Sequence, residues 1–226
     1  CRYCAVSKGK PMQLDQEEPH RVAEAVEVME LKHAVVTSVD RDDVTDGGAA
    51  IFALTIAAIR ERNPGCVVEV LIPDFQGSKE SLDRVLEMGP EVLAHNIETV
   101  PRLYPKARAG GDYLRSLQLL DRAHEWAPDV VTKTGMMLGL GEEEDEIHQV
   151  LKDLVERNVQ ILTLGQYLRP TPRHLPVVRH YHPDEFRCWK KVGEEMGFEH
   201  VESGPLVRSS YLADRQLKQL KTDSDN

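Results

Sequence analysis

Cys1 and Cys4 form a Cys-x-x-Cys pair at the head of the sequence. Thiolates at this spacing hold a metal or a cluster, or exchange a disulfide. The redox reading wants a strand before the pair and a helix directly after it. Instead residues 5–11 (AVSKGKP) follow, a loop with Gly and Pro breakers. A zinc site would need a second Cys-x-x-Cys or paired histidines, and none completes it. On spacing alone, ligation and no special role both stay open. Cys66 precedes an apolar run and Cys188 sits in an amphipathic segment, so both read as buried or semi-buried small hydrophobes. Four cysteines in a chain of 226 residues do not describe a small disulfide scaffold.

The elements that position this chemistry alternate. Short, β-branched runs at 33–39, 67–73, 92–97, 130–140 and 161–168 read as strands, with a weaker one at 200–201. Between them, 21–32, 48–62, 79–88, 112–126, 142–157 and 183–196 read as helices, with Ser78 a cap for the third and 216–226 a polar tail. Alternation in steps of ~30 residues means βαβ units and a parallel sheet. No G-x-G-x-x-G or Walker loop follows a strand, so a (β/α) barrel or partial barrel is expected, with chemistry at the C-terminal strand ends. The polar residues read as lying there are Thr37, Ser38, Asp40, Arg41, Asp42, Asp43, Asp74, His95, Asn96, Glu98, Thr99, Lys133, Gln166, Tyr167 and Arg169. Each can equally be a structural hydrogen bond or a solvated loop. Asp42, Asp43 and Asp46 fit a solvated turn with a helix cap better than a metal loop, and Met136 and Met137 fit a core. Arg169, Arg173, His174, Arg179 and His180 make a local basic stretch on which an acidic partner can dock.

The chain carries 28 Lys+Arg against 38 Asp+Glu, a net charge of −10, and is 41% hydrophobic. That is ordinary for a soluble globular protein and argues against nucleic acid or an anionic membrane as the main partner. No apolar run reaches the ~20 residues of a membrane span. A chain opening on Cys1 rather than Met is read as processed or as a piece of a longer protein.

Longer segments carry a family resemblance. Cys1-Arg2-Tyr3-Cys4 resembles the end of the radical S-adenosylmethionine (SAM) motif, Cys-x3-Cys-x-aromatic-Cys. Residues 35–48 (VVTSVDRDDVTDGG), 71–75 (LIPDF), 95–105 (HNIETVPRLYP), 132–141 (TKTGMMLGLG), 163–178 (TLGQYLRPTPRHLPVV), 182–186 (HPDEF) and 204–213 (GPLVRSSYLA) resemble the lipoyl synthases in order, over nearly the whole chain. The resemblance implies an α/β fold: a partial (β/α)6 TIM-type barrel of the radical SAM type, its first strand missing, over 1–215. It implies a sulfurtransferase that inserts sulfur at carbons 6 and 8 of a protein-bound octanoyl group. It implies two [4Fe–4S] clusters, one binding SAM and one auxiliary cluster that donates sulfur, with the first motif cysteine and the auxiliary cysteines upstream of Cys1. The fragment alone is then expected to be inactive.

Carried onto these positions, Cys1 and Cys4 ligate the SAM-binding cluster and Tyr3 packs on the cluster or adenine. Ser210 of Arg208-Ser209-Ser210-Tyr211, by itself an ST-turn or cap, becomes a weak oxygen ligand of the auxiliary cluster, with Arg208 steadying its charge. Thr37, Ser38 and Asp40 are expected at the methionyl group of SAM and Asn96 and Glu98 at its ribose hydroxyls. Lys133 and Arg173 are expected at its carboxylate or at the carrier. The implied partners are an octanoylated lipoyl-carrier protein or domain and a reducing electron donor. The implied location is the cytoplasm, or the mitochondrial or plastid matrix in a eukaryote. Rival readings are a sulfur inserter of the biotin synthase kind, a non-catalytic cluster or zinc module using Cys1 and Cys4, and a metal-free barrel binding a small ligand.

Overall fold

Six strands run parallel in the order β1-β2-β3-β4-β5-β6: His33–Thr37, Val67–Leu71, Val92–Ala94, Val131–Leu138, Ile161–Gln166 and His200–Gly204. The computed structural model describes residues 1–6, 9 and 11–224. Ser7, Lys8 and Lys10 of the expected loop, and the last two residues of the expected tail, lie outside the described residues. Neighbouring strands pair in sequence order, and no pairing joins β6 to β1 among the described residues, so the sheet curves without closing. Both faces of the strands are covered, which is why they read as almost continuous apolar runs.

Helix α1 (Glu18–Val28) precedes β1; the crossovers are α2 (Ala49–Arg62), α3 (Lys79–Leu86), a single-turn α4 (Tyr104–Ala107), α5 (Tyr113–Trp126), α6 (Glu144–Val155) and α7 (Pro183–Met196), and α8 (Ala213–Ser224) follows β6. Their starts follow from local chemistry. The Ser78 hydroxyl accepts from Ser81 N at 3.2 Å and the Asp112 carboxylate from Arg115 N at 2.9 Å. Asp46 accepts from Gly48 N and Ala50 N, so that aspartate belongs to the turn and cap before α2. Apolar stripes such as Ile147, Val150, Leu151 and Leu154 of α6 lie fully buried against the sheet.

Two expectations change. Cys188 is exposed on α7 rather than buried, whereas Cys66 is buried as expected. Residues 216–224, read as polar tail, are helical. Leu217 and Leu220 of α8 pack on Val92 and Ile161, the first residues of β3 and β5, beside Val67 and Val131, so α8 crosses the N-terminal end of the barrel.

Candidate functional site

The cysteine loop lies against the opposite end, where the strands finish. Arg2 N donates to Ala107 O at 2.8 Å, and Leu175 N, beyond β5, donates to Arg2 O at 3.1 Å. Cys1 is exposed and Cys4 half-buried, both as free thiols. Between them Tyr3 packs on the core, and its hydroxyl hydrogen-bonds Glu98 from the loop after β3. Burial, then the Glu98 charge, pushes the Tyr3 phenol far above its ordinary range.

Glu98 carries the clearest backbone signal at this end. Its φ is +71°, a conformation L residues avoid and one that costs roughly 1–2 kcal/mol. Two bonds to β4 hold it there: Glu98 N to Gly135 O and Met137 N to Glu98 O, both 2.9 Å. Its carboxyl accepts from Asn96 Nδ2 at 3.2 Å and is raised above the carboxylate range, mainly by burial, with Arg108 opposing. Asn96 Oδ1 is buried with no partner. It lies 2.8 Å from where a side chain on Gly135 would begin, and Thr163 Oγ1 lies at the same distance, so only glycine fits there.

Arg108 ties this corner together and was not singled out in the sequence. Its guanidinium donates to Asn96 O at 2.9 Å and Ser116 Oγ at 3.2 Å, and it stands over the Tyr104 ring. His95, a candidate by position, is structural. Nδ1 donates to Ile72 O and Nε2 meets Ser116 Oγ, both at 2.9 Å. Burial, then the Arg108 charge, lowers its pKa to about 4, so the ring is neutral.

Thr37, Ser38 and Asp40 end β1 as exposed residues. Thr37 Oγ1 donates to Leu71 O at 3.1 Å and Ser38 Oγ to Val39 O at 2.8 Å. Burial and a shared hydrogen bond with Asp42 raise the Asp40 carboxyl. Arg173 is exposed on the segment after β5 that touches the cysteine loop.

Lys133 requires a correction, because it is not at a strand end. It is the third residue of β4, paired with Ala94 and with Ile161, the first residue of β5. Its ammonium is wholly buried and reaches Glu69 Oε1 on β2 at 2.7 Å, past Ala94 on β3. A contact that skips a strand must cross the concave side, so this pair fills the lower barrel. His33 Nε2 approaches the other Glu69 oxygen at 3.1 Å. Burial lowers the Lys133 pKa, with Glu69 opposing. Charged residues inside apolar strands, as Glu69 and Lys133 are, signal such a pair in the sequence itself.

After β6 the chain turns back over the mouth. Val207 is buried, and its carbonyl lies so close to Gly165 of β5 that no side chain fits there. Arg208 Nη1 stands 3.1 Å from the same point and donates to Val207 O at 2.6 Å. Ser210 is exposed in the following turn, closed by Tyr211 N to Arg208 O at 2.9 Å. The strand ends therefore gather Cys1, Tyr3, Cys4, Asn96, Glu98 and Arg208, and leave Lys133 below. Among the described residues no three His, Cys, Asp or Glu come together in a metal-binding group. The thiol pair at the rim and the unpartnered Asn96 oxygen above the Gly135 cradle nevertheless fit a soft cluster carrying a polar ligand with hydrogens to donate.

Comparison with known proteins points the same way. Residues 1–154 match the model of the radical SAM superfamily. The chain is similar to the lipoyl synthase of Rubrobacter xylanophilus, 57% identical over 96% of this chain and 68% of the relative. It is likewise similar to that of Oceanobacillus iheyensis, 58% identical over 96% and 69%. The Koribacter versatilis enzyme is 58% identical over 98% and 73%. Among solved structures, methylornithine synthase superposes with a TM-score of 0.64 at 12% identity, covering 99% of this chain and 77% of that one. The hydrogenase maturase HydG of Carboxydothermus hydrogenoformans gives 0.61 at 15% identity, covering 99% and 63%. At such identities these structures speak for the fold alone.

Proposed function

The chain belongs to the lipoyl synthase family of the radical SAM superfamily, and from that membership we propose that it inserts sulfur at carbons 6 and 8 of an octanoyl group held on a carrier-protein lysine. The family implies SAM and iron–sulfur clusters as cofactors. We assign one SAM-binding cluster and one auxiliary cluster, with work in the cytoplasm and a reducing electron donor. Among the described residues no helix is long and apolar enough to cross a membrane. When bound, these groups supply the hydrogen-abstracting radical and the sulfur, and the protein supplies position and exclusion of water.

In this reading Cys1 and Cys4 present thiolates to the SAM-binding cluster. Tyr3 packs beside it and, through Glu98, registers the loop on the strand ends. Asn96 Oδ1 accepts from a ribose hydroxyl, which satisfies an oxygen otherwise buried without a partner. Glu98 accepts likewise. Thr37, Ser38 and Asp40 face the ammonium of the methionyl group and Arg173 faces the carrier. Ser210 is a weak oxygen ligand of the auxiliary cluster, with the Arg208 cation near it. The observation that carries the reading is the 57–58% identity to lipoyl synthases over nearly the whole chain; the nearness of Tyr3, between the two cysteines, to Glu98 beside the unpartnered Asn96 oxygen supports where the pair is placed.

The test is a hybrid in which this chain replaces the matching segment of the longer Rubrobacter relative, reconstituted anaerobically with iron and sulfide. It is expected to hold eight irons, to cleave SAM on reduction and to form lipoyl groups on an octanoylated carrier domain (two [4Fe–4S] clusters). Cys4→Ala is expected to lose SAM cleavage. A hybrid that loads iron but yields no lipoyl product refutes the assigned reaction. A Ser210→Cys hybrid that turns over normally with an unchanged auxiliary cluster refutes the weak-ligand role.

A further inference from the structure

The backbone of the cysteine loop is gripped from the segment that follows β5. Leu175 N donates to Arg2 O, and His174 Nε2 lies 2.9 Å from Cys4 O. A carbonyl oxygen only accepts, so Nε2 carries the hydrogen. The other ring nitrogen faces Thr171 Oγ1 at 2.8 Å. Arg173 N donates into that same hydroxyl oxygen at 3.3 Å, which leaves the hydroxyl hydrogen free to point at Nδ1. The donors then run one way, from Arg173 N through Thr171 and His174 to Cys4 O, with the Nε2 hydrogen aimed at the carbonyl.

The segment bearing this ring is itself fixed. His174 N closes a turn on Thr171 O at 3.0 Å, and Arg169 Nε donates to His174 O at 3.0 Å. The Tyr167 hydroxyl, from a side chain buried just beyond β5, donates to Leu175 O at 2.8 Å. The Cys4 carbonyl is thus joined to the rigid barrel through one imidazole. Among the described residues the thiol accepts a local contact, Val6 N at 3.5 Å.

We propose that His174, oriented by Thr171, is a positioning residue that seats the Cys1–Cys4 loop at the barrel mouth in the arrangement in which its thiolates meet the cluster. This rests on the reading of Cys1 and Cys4 as cluster ligands. It adds an anchor 170 residues away in sequence that acts through the loop's backbone carbonyl.

The clamp can be read without any cluster, from the alkylation rate of each cysteine in the metal-free chain, followed site by site by mass spectrometry. His174→Ala is expected to raise the Cys4 rate about fivefold, the Boltzmann weight of one ordinary hydrogen bond. His174→Gln, whose amide can donate to the same carbonyl, is expected to return the rate toward wild type. Buried Cys66 reports the fold and stays protected in both. If His174→Ala exposes Cys66, Thr171→Val replaces it, with an expected rise of about twofold from the loss of tautomer control. A Cys4 rate equal to wild type in the folded variant, alanine or valine, overturns the proposal. In the iron-loaded hybrid, His174→Ala is expected to release iron to a chelator about fivefold faster, by the same weight, and an unchanged release rate also overturns it. If the wild-type hybrid loads no iron, the cluster reading fails while the labelling result still decides the clamp.

Discussion

Removing half of the buried pair in the lower barrel tests how the interior is held. Lys133 Nζ and Glu69 Oε1 are 2.7 Å apart, with 0% and 1% of their side chains exposed. At an effective dielectric constant near 20, their attraction is about 6 kcal/mol. Desolvation of the two ions opposes it by several kcal/mol each, so the intact pair is close to neutral against apolar side chains of the same size. Half a pair is different. Lys133→Met leaves the Glu69 carboxylate buried with His33 as its remaining side-chain partner at 3.1 Å, at an expected cost of about 3–5 kcal/mol. Glu69→Met strands the ammonium at a similar cost. The double variant strands nothing and is expected to lose only about 1–2 kcal/mol, against roughly 6–10 kcal/mol if the two losses added. Since domains are stable by about 5–15 kcal/mol, each single variant gives up a large share of that stability and the double variant regains most of it. Urea unfolding of the four proteins, extrapolated to water, gives the cycle directly. Additive losses, or a Lys133→Met loss under about 0.5 kcal/mol, would refute the argument that an uncompensated buried charge sets the cost.

Other consequences are as direct. His95 stays neutral in the fold to a pKa of about 4, whereas an unfolded histidine protonates near 6.5. The unfolded state therefore binds the extra proton between those values, and stability falls as pH drops from 6.5 to 4, by about 3 kcal/mol; denaturation of wild type and His95→Asn across that window should show the slope flattened in the variant. Gly165→Ala drives a methyl into the Val207 carbonyl and is expected to cost about 1–3 kcal/mol. It should also shift the Arg208–Tyr211 turn, which proteolysis or amide exchange at 207–212 reads. Leu217→Ala removes a side chain that is 4% exposed under the barrel and is expected to cost about 2–4 kcal/mol in urea unfolding. No loss would mean that α8 does not seal that end.

The strands were legible because most lie in short apolar runs of six to eight residues rich in β-branched side chains, which leave few alternatives. Each observed strand lies inside or overlaps its expected run, and Ser78 announces its helix. The cysteine loop and the residues 95–98 were singled out by type and by resemblance, and the structure places them at the same end of the sheet. The failures have physical causes. Lys133 was placed at a strand end because composition does not say how far along a strand a residue sits, and β4 continues five residues beyond it to Leu138. Cys188 follows an amphipathic pattern but falls on the outer side of α7. Helix α8 was hidden because Leu217 and Leu220 are its buried anchors amid polar neighbours. Arg108 was one arginine in a loop, with nothing local to mark it.

By itself the sequence determined the alternation of strands and helices, the parallel sheet and the family, because periodicity, capping and long ordered segments are local properties. Only the tertiary structure decided which polar side chains share a space. It brought Tyr3 to Glu98, left the Asn96 oxygen unpartnered over Gly135, sent Lys133 down to Glu69 and hung the Cys4 carbonyl on His174. Those pairings join residues up to 170 positions apart. They depend on strand register and on where each loop closes over the barrel, which are settled by packing the whole sheet at once and leave no mark on any short stretch of sequence.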